Sequence, residues 1–114
     1  MQTSAVILEK PGALGLGEAA LRSPASGDLV VDVEWSGIST GTERLLWSGR
    51  MPPFPGMGYP LVPGYESVGR VIAAGAAAEI GVGQRVFVPG AKCFGPVRGL
   101  FGGAAAKLVV AADK

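Results

Sequence analysis

Few residues of this chain can carry acid–base or metal chemistry. There is no histidine, and Cys93 is the single cysteine. A thiol without an imidazole partner reads as a buried group rather than a nucleophile. One cysteine also permits neither an internal disulfide nor a cysteine metal cluster. Zinc takes about four thiolate, imidazole or carboxylate ligands, so this composition supports it poorly. The densest chemistry stands in the stretch from Leu61 to Val71, where the Pro63-Gly64 turn leads into Tyr65 and Glu66 and then an apolar strand interrupted by Gly69. An unperturbed tyrosine has a pKa near ~10, so Tyr65 is a weak base at neutral pH unless a cation such as Arg44 or Lys92 depresses it. Glu66 can hydrogen-bond an arginine or backbone amides. A second cluster gathers Trp47, Met51, Phe54, Met57 and Tyr59. It reads either as a loop closing one end of the domain, with Trp47 as anchor, or as the lining of an apolar cleft. The glycines identify no nucleotide site: Gly12, Gly15 and Gly17 have the wrong spacing for a dinucleotide fingerprint, those from Gly90 to Gly103 lack a strand-to-helix context, and there is no P-loop.

The elements that must position these groups are short. A chain of 114 residues is long enough for one small core. Ten basic against nine acidic residues leave a charge of +1, which gives no reason to expect nucleic acid or an acidic membrane as partner. With 48% apolar residues the chain is not disordered, and its 19 glycines and 9 prolines, scattered rather than periodic, imply many sharp turns between strands. No signal-like segment opens the chain, and the apolar run from Val71 to Ala78 falls far short of the ~20 residues that cross a bilayer. The expectation is a soluble, cytoplasmic protein without a transmembrane segment, with attachment to a membrane surface left open.

In chain order, Thr3 to Leu8 reads as a strand ended by Pro11-Gly12. Leu14 to Leu21 is ambiguous between strand and helix. Asp28 to Ser36 alternates most cleanly, with Val31, Val33 and Trp35 on one face and Asp32 and Glu34 on the other. Thr42 to Gly49 predicts a short helix capped by Thr42, with Glu43 at its positive end and Gly49 at its exit. Met51 to Pro60 is a loop. Strands follow at Glu66–Ala73, at Arg85–Val88 and through Leu108-Val109-Val110. The pattern is mostly β, and a small barrel is favoured because closure removes unprotected sheet edges.

The motifs resemble those of the medium-chain, alcohol-dehydrogenase-like oxidoreductases. Gly37-Ile38-Ser39-Thr40 resembles the family's G-[IV]-C-x segment, Gly64-Tyr65-Glu66 its GHE, Gly83-Gln84-Arg85-Val86 its GDRV, and Gly102 to Val110 its G-G-x-A-E-[YF]-V segment, from which Ala106 and Lys107 depart. The resemblance implies that residues 1–114 form a GroES-like barrel, the N-terminal part of a catalytic domain, with the Rossmann domain absent and the principal NAD site beyond Lys114. Such a piece is not expected to turn over alone. Ser39 and Tyr65 stand where zinc-dependent members carry cysteine and histidine ligands, so no protein-bound zinc is expected. Ser39, Thr40 and Tyr65 become the candidate catalytic groups, with Glu66 in a supporting role.

Within the family, Ser39 to Glu43 running into Leu46-Trp47-Ser48-Gly49, then Pro52-Pro53-Phe54-Pro55-Gly56, resembles the members that act in bacteriochlorophyll synthesis. That implies NAD-dependent oxidation of the C3 1-hydroxyethyl group of a magnesium tetrapyrrole to acetyl. Trp47, Phe54 and Tyr59 would then contact the ring, and Arg44 or Arg50 would pair with its propionate. Two other readings stay open: a zinc-less quinone reductase-like enzyme, and a stand-alone GroES-like binding or co-chaperonin-like module. A homo-oligomer is compatible with each.

Overall fold

A computed structural model of the chain describes residues 2–52, 58–91, 93–95 and 101–112. Alternation of β-branched and small residues gives strand β1 (Gln2–Lys10), which turns at Pro11 and at Gly12, whose φ is 81°, into β2 (Ala13–Ala20). The ambiguous second segment is therefore a strand, because pairing with β1 from Gln2↔Ala20 to Lys10↔Ala13 outweighs the helix propensity of its alanines. A turn held by Asp28 leads to β3 (Asp28–Ser36), the helix α1 (Thr40–Ser48) follows, and then come β4 (Ser67–Ala74), β5 (Arg85–Val88) and β6 (Lys107–Ala111). The strands form two antiparallel sheets, β1-β2 and β5-β4-β3-β6.

The expectation of a barrel is not met: among the described residues the sheets do not close. The reason lies where β1 meets the segment before β6. Val6 donates its amide to Ala104 and Ala106 donates to Ser4 at 2.8 Å each, so a ladder begins. The next donor, Lys107 N–H, goes to the Thr3 hydroxyl at 2.8 Å, and β6 leaves to pair with β3. Beyond these bonds, an isolated bridge at Ala5↔Ala105 joins β1 to the segment before β6, and further bridges at Leu8↔Leu61 and Leu21↔Phe94 tie the hairpin and the residue after it to the loops. On the far side β5 is four residues long and is paired only with β4 among the described residues.

Between the sheets lies a core of Ala5, Ile7, Val30, Val31, Val71, Cys93, Leu108, Val109 and their neighbours. The expected alternation along β3 holds only in part. Asp28 to Val31 are all buried, since this half is the inner strand with β4 on one side and β6 on the other. Register shifts at Val30/Val31 and Val33/Trp35 then turn the strand, and Trp35 ends 77% exposed instead of facing the core.

A smaller cluster, Leu8, Leu46 and Leu61 with Met51, Tyr59 and Phe101 against it, seats α1. The helix begins one turn earlier than its sequence predicts: Ser39, not Thr42, is the cap, and its hydroxyl accepts the Thr42 amide at 3.4 Å. Gly49 ends it as expected, in the left-handed region at φ 76°. Nine residues cannot hold a helix in water. Burial of Leu46, a 2.7 Å bond from the Gly12 amide to the Trp47 carbonyl and the Tyr59 hydroxyl donating to the Leu46 carbonyl supply what propensity does not.

Candidate functional site

An open cleft of about 530 Å³ lies between α1, the hairpin and the chain around Ser36–Ser39. That size is typical of small-molecule sites. Val6, Leu8, Leu14, Ile38, Leu46, Pro63 and Ala104 make its walls largely apolar. Past Ile38 it continues into a depression of about 360 Å³ that shares Val6, Ser36 and Ala104. A separate hollow of about 200 Å³ between Leu29, Ile80 and Val110 has no titratable side chain on its walls among the described residues.

One face of α1 supplies the polar lining. Thr40, Glu43, Arg44 and Trp47 are spaced three and four residues apart, so they stand above one another along the cleft. Ser39 joins them at the helix start, although its hydroxyl is already engaged as the cap. Trp47 is half exposed, leaving ring surface open to the cleft.

The remaining candidates from the sequence are placed elsewhere. Tyr65 packs edge-on against Phe101, with ring centroids 5.3 Å apart at 68°, and is not part of the cleft wall. Tyr59 lies under α1 with Leu46 and Leu61. Arg50 is exposed beyond the helix end, and its side chain does not line the cleft. Phe54, Met57 and Lys92 lie outside the described residues. Glu66 sits just behind the wall: its carbonyl accepts the Gly37 amide at 2.6 Å, and a Cβ added at Gly37 would meet its carboxyl oxygen at 2.8 Å. Gly37 thus leaves room for the Glu66 side chain beside the cleft.

The sequence reading passed over Glu43 as a site residue, treating it as a charge at the start of a helix. The signal was available in the spacing Thr40, Glu43, Arg44, Trp47, which marks a single helical face. Burial pushes the Glu43 carboxyl above the usual carboxylate range, against the lowering effect of the Ser39 amide, and the neighbouring Glu66 charge adds to the rise. Burial also pushes up the Cys93 thiol, which belongs to the main core and is fully buried there. That is an inert position for a thiol.

Among the described residues there is neither a zinc ligand set nor a dinucleotide-binding glycine turn. Among the described residues no three histidine, cysteine, aspartate or glutamate side chains gather closely enough to hold a metal. The donor chemistry is also wrong, with the Ser39 hydroxyl committed to Thr42 and the Tyr65 ring to Phe101. Gly12, Gly15 and Gly17 fall in the β1–β2 hairpin, with no helix following them to receive a pyrophosphate.

Comparison with known proteins decides the family. The alcohol dehydrogenase GroES-like domain matches residues 25–114. The chain belongs to that family. This GroES-like chain is 58% identical over its whole length to the 2-desacetyl-2-hydroxyethyl bacteriochlorophyllide A dehydrogenase of Rhodobacter capsulatus, and 56% identical to the protein of the same description from Cereibacter sphaeroides. It spans 37% of the length of each. Among solved structures it is similar to a short chain alcohol dehydrogenase from Escherichia coli CFT073 complexed with NADH, with TM-score 0.76 and 28% identity over 99% of this chain and 37% of that one. The mostly β arrangement is thus the N-terminal dehydrogenase domain that the sequence motifs imply, without a closed barrel among the described residues.

Proposed function

We propose that the protein containing this chain oxidises the 1-hydroxyethyl substituent of a bacteriochlorophyllide-type magnesium tetrapyrrole to acetyl, using a nicotinamide cofactor. The observation that carries this reading is the 58% identity, over the entire chain, with a dehydrogenase whose description specifies that hydroxyethyl substrate. Residues 1–114 serve as the N-terminal part of the catalytic domain, and the dinucleotide is held by residues outside this chain. When bound, the cofactor supplies the hydride acceptor.

The cleft suits the remaining task. Its apolar walls exclude water from one edge of a flat ring, and Trp47 offers an aromatic surface for it. Arg44 pairs with a propionate carboxylate at the polar side, and the Ser39–Thr40 end receives the hydroxyl oxygen. Glu66 supports that end from behind Gly37.

The full-length protein with NAD and the hydroxyethyl ring is the test. NADH formation together with the absorbance change of an acetyl-bearing ring is expected. Trp47→Ala should weaken ring binding by about 1–3 kcal/mol while leaving the fold intact. A well-folded full-length protein that leaves the hydroxyethyl group untouched with either nicotinamide cofactor would overturn the assignment. Unchanged affinity in Trp47→Ala would remove Trp47 from the ring site.

A further inference from the structure

Oxidation of a secondary alcohol releases a proton, and a site without a fitting metal needs a side chain to take it. The hydroxyl groups first singled out are poorly suited to keeping it. Ser39 already serves as the helix cap, Tyr65 packs on Phe101 away from the wall, and Thr40 can relay a proton but not hold one near neutral pH. Among the described residues lining the 530 Å³ cleft, Glu43 is the only carboxylate, and it stands on the same helical face as Thr40 and Trp47.

We propose, resting on the oxidoreductase reading above, that the Glu43 carboxylate accepts the hydroxyl proton of the alcohol in this cleft. The hydride leaves carbon with its bonding electron pair for the nicotinamide ring. The electron pair of the broken O–H bond becomes the second bond of the carbonyl, and the proton forms a new O–H bond at Glu43. The alcohol is oxidised, the nicotinamide is reduced, and the proton passes on to solvent through the open mouth of the cleft.

The surroundings suit that role. Glu43 is half-buried, so its charged form is partly desolvated, and the charge of Glu66, whose carboxyl stands beside Gly37 of the cleft wall, opposes its ionisation further. Both effects make it a better proton acceptor than an exposed glutamate. Arg44, its neighbour on α1, is the other charged residue among the described residues of the cleft wall. Among the described residues Glu43 makes no ion pair, so the arrangement places a strengthened base among apolar walls.

The experiment uses the full-length protein with NAD, offering both the hydroxyethyl tetrapyrrole and a panel of simple secondary alcohols. Glu43→Gln is expected to keep its thermal midpoint and ring affinity while single-turnover hydride transfer falls about 10²-fold or more. In the unmodified protein the rate should rise with pH as Glu43 loses its proton. That acid limb should vanish in Glu43→Gln and return in Glu43→Asp. A carbon-13 titration of the carboxyls, read without any substrate and without depending on the variant's folding, should place Glu43 above the ordinary value of 4.5 and lower it in Glu66→Gln. Glu43→Gln with an unchanged rate and an unchanged acid limb overturns the proposal, as does a Glu43 midpoint at or below the ordinary value. If the ring is not oxidised but a simpler alcohol is, the substrate assignment falls and Glu43 is judged on that alcohol. If no alcohol is oxidised, both fall.

Discussion

Asp28 shows how much one carboxylate can organise in a small domain. It is buried, and its oxygens accept the Ala25 amide at 2.7 Å and the Arg22 guanidinium, while its own carbonyl accepts the Gly75 amide at 2.8 Å. The turn before β3 and the end of β4 are therefore pinned to the same residue. The Arg22 hydrogen bond, then the Ala25 amide, hold its pKa below the ordinary 3.8, against burial. A carboxyl whose pKa is lower folded than unfolded stabilises the fold fully above the unfolded value and loses that contribution as pH falls through the folded one. Acid unfolding should accordingly include a component below about pH 3.8 that Asp28→Asn removes. At neutral pH, Asp28→Ala should cost about 1–3 kcal/mol in urea unfolding, because the Ala25 amide and the guanidinium lose a buried partner. The exposed pairs of Glu34 with Arg70 and Arg85, at 3.5 and 3.2 Å, are worth only about 0–1 kcal/mol by comparison.

At the scale of elements, the approach of β3 to β4 depends on the absence of a side chain. A Cβ at Gly69 would lie 2.3 Å from the Asp32 carbonyl oxygen and 2.8 Å from Val31 Cγ1, so β4 would have to pull away from the inner strand. Gly69 pairs with Val33 just where the register shifts, and the displacement that seats Val31 in the core and turns Trp35 outward passes through this contact. Gly69→Ala should lower stability by at least about 1–3 kcal/mol. Gly15→Ala, on β2 with nothing within 4 Å of the new atom, is the matched control. It should stay within about 0.5 kcal/mol of the starting protein. Equal denaturation midpoints for the two variants would show that the β3–β4 contact is not the constraint described here.

Over the whole molecule, the exposed apolar side chains are concentrated on the two sheets and the cleft rim. Leu16 is 84% exposed, Ile38 80%, Trp35 77% and Phe87 59%. Trp35, Val68 and Phe87 are register partners across β3, β4 and β5 and make a row on one face of the larger sheet. A chain that spans 37% of its relatives' length carries such surfaces at a cost in water. In the full-length protein, amide exchange along β2 and β5 should slow and the denaturation midpoint of this region should rise relative to residues 1–114 alone. Equal exchange and equal midpoints in the two proteins would mean that these faces are tolerated uncovered.

Local sequence was sufficient for most strands, for the exit of α1 at Gly49 and for the family, because alternation, turn residues and short motifs are properties of neighbours along the chain. It also placed Ser39, Thr40, Arg44 and Trp47 among the site candidates, and the tertiary structure gathers them on one cleft. What neighbours along the chain cannot encode is which surfaces meet. The Thr3 hydroxyl takes the Lys107 amide from 104 residues away and so interrupts the ladder that would have joined the two sheets through β1 and β6. The register shifts in β3 expose Trp35 although its spacing marks it as inward. Tyr65, paired in sequence with Glu66, is drawn to Phe101, whereas Glu43, first read as a helix-end charge, is brought into the cleft wall, where burial above all raises its pKa.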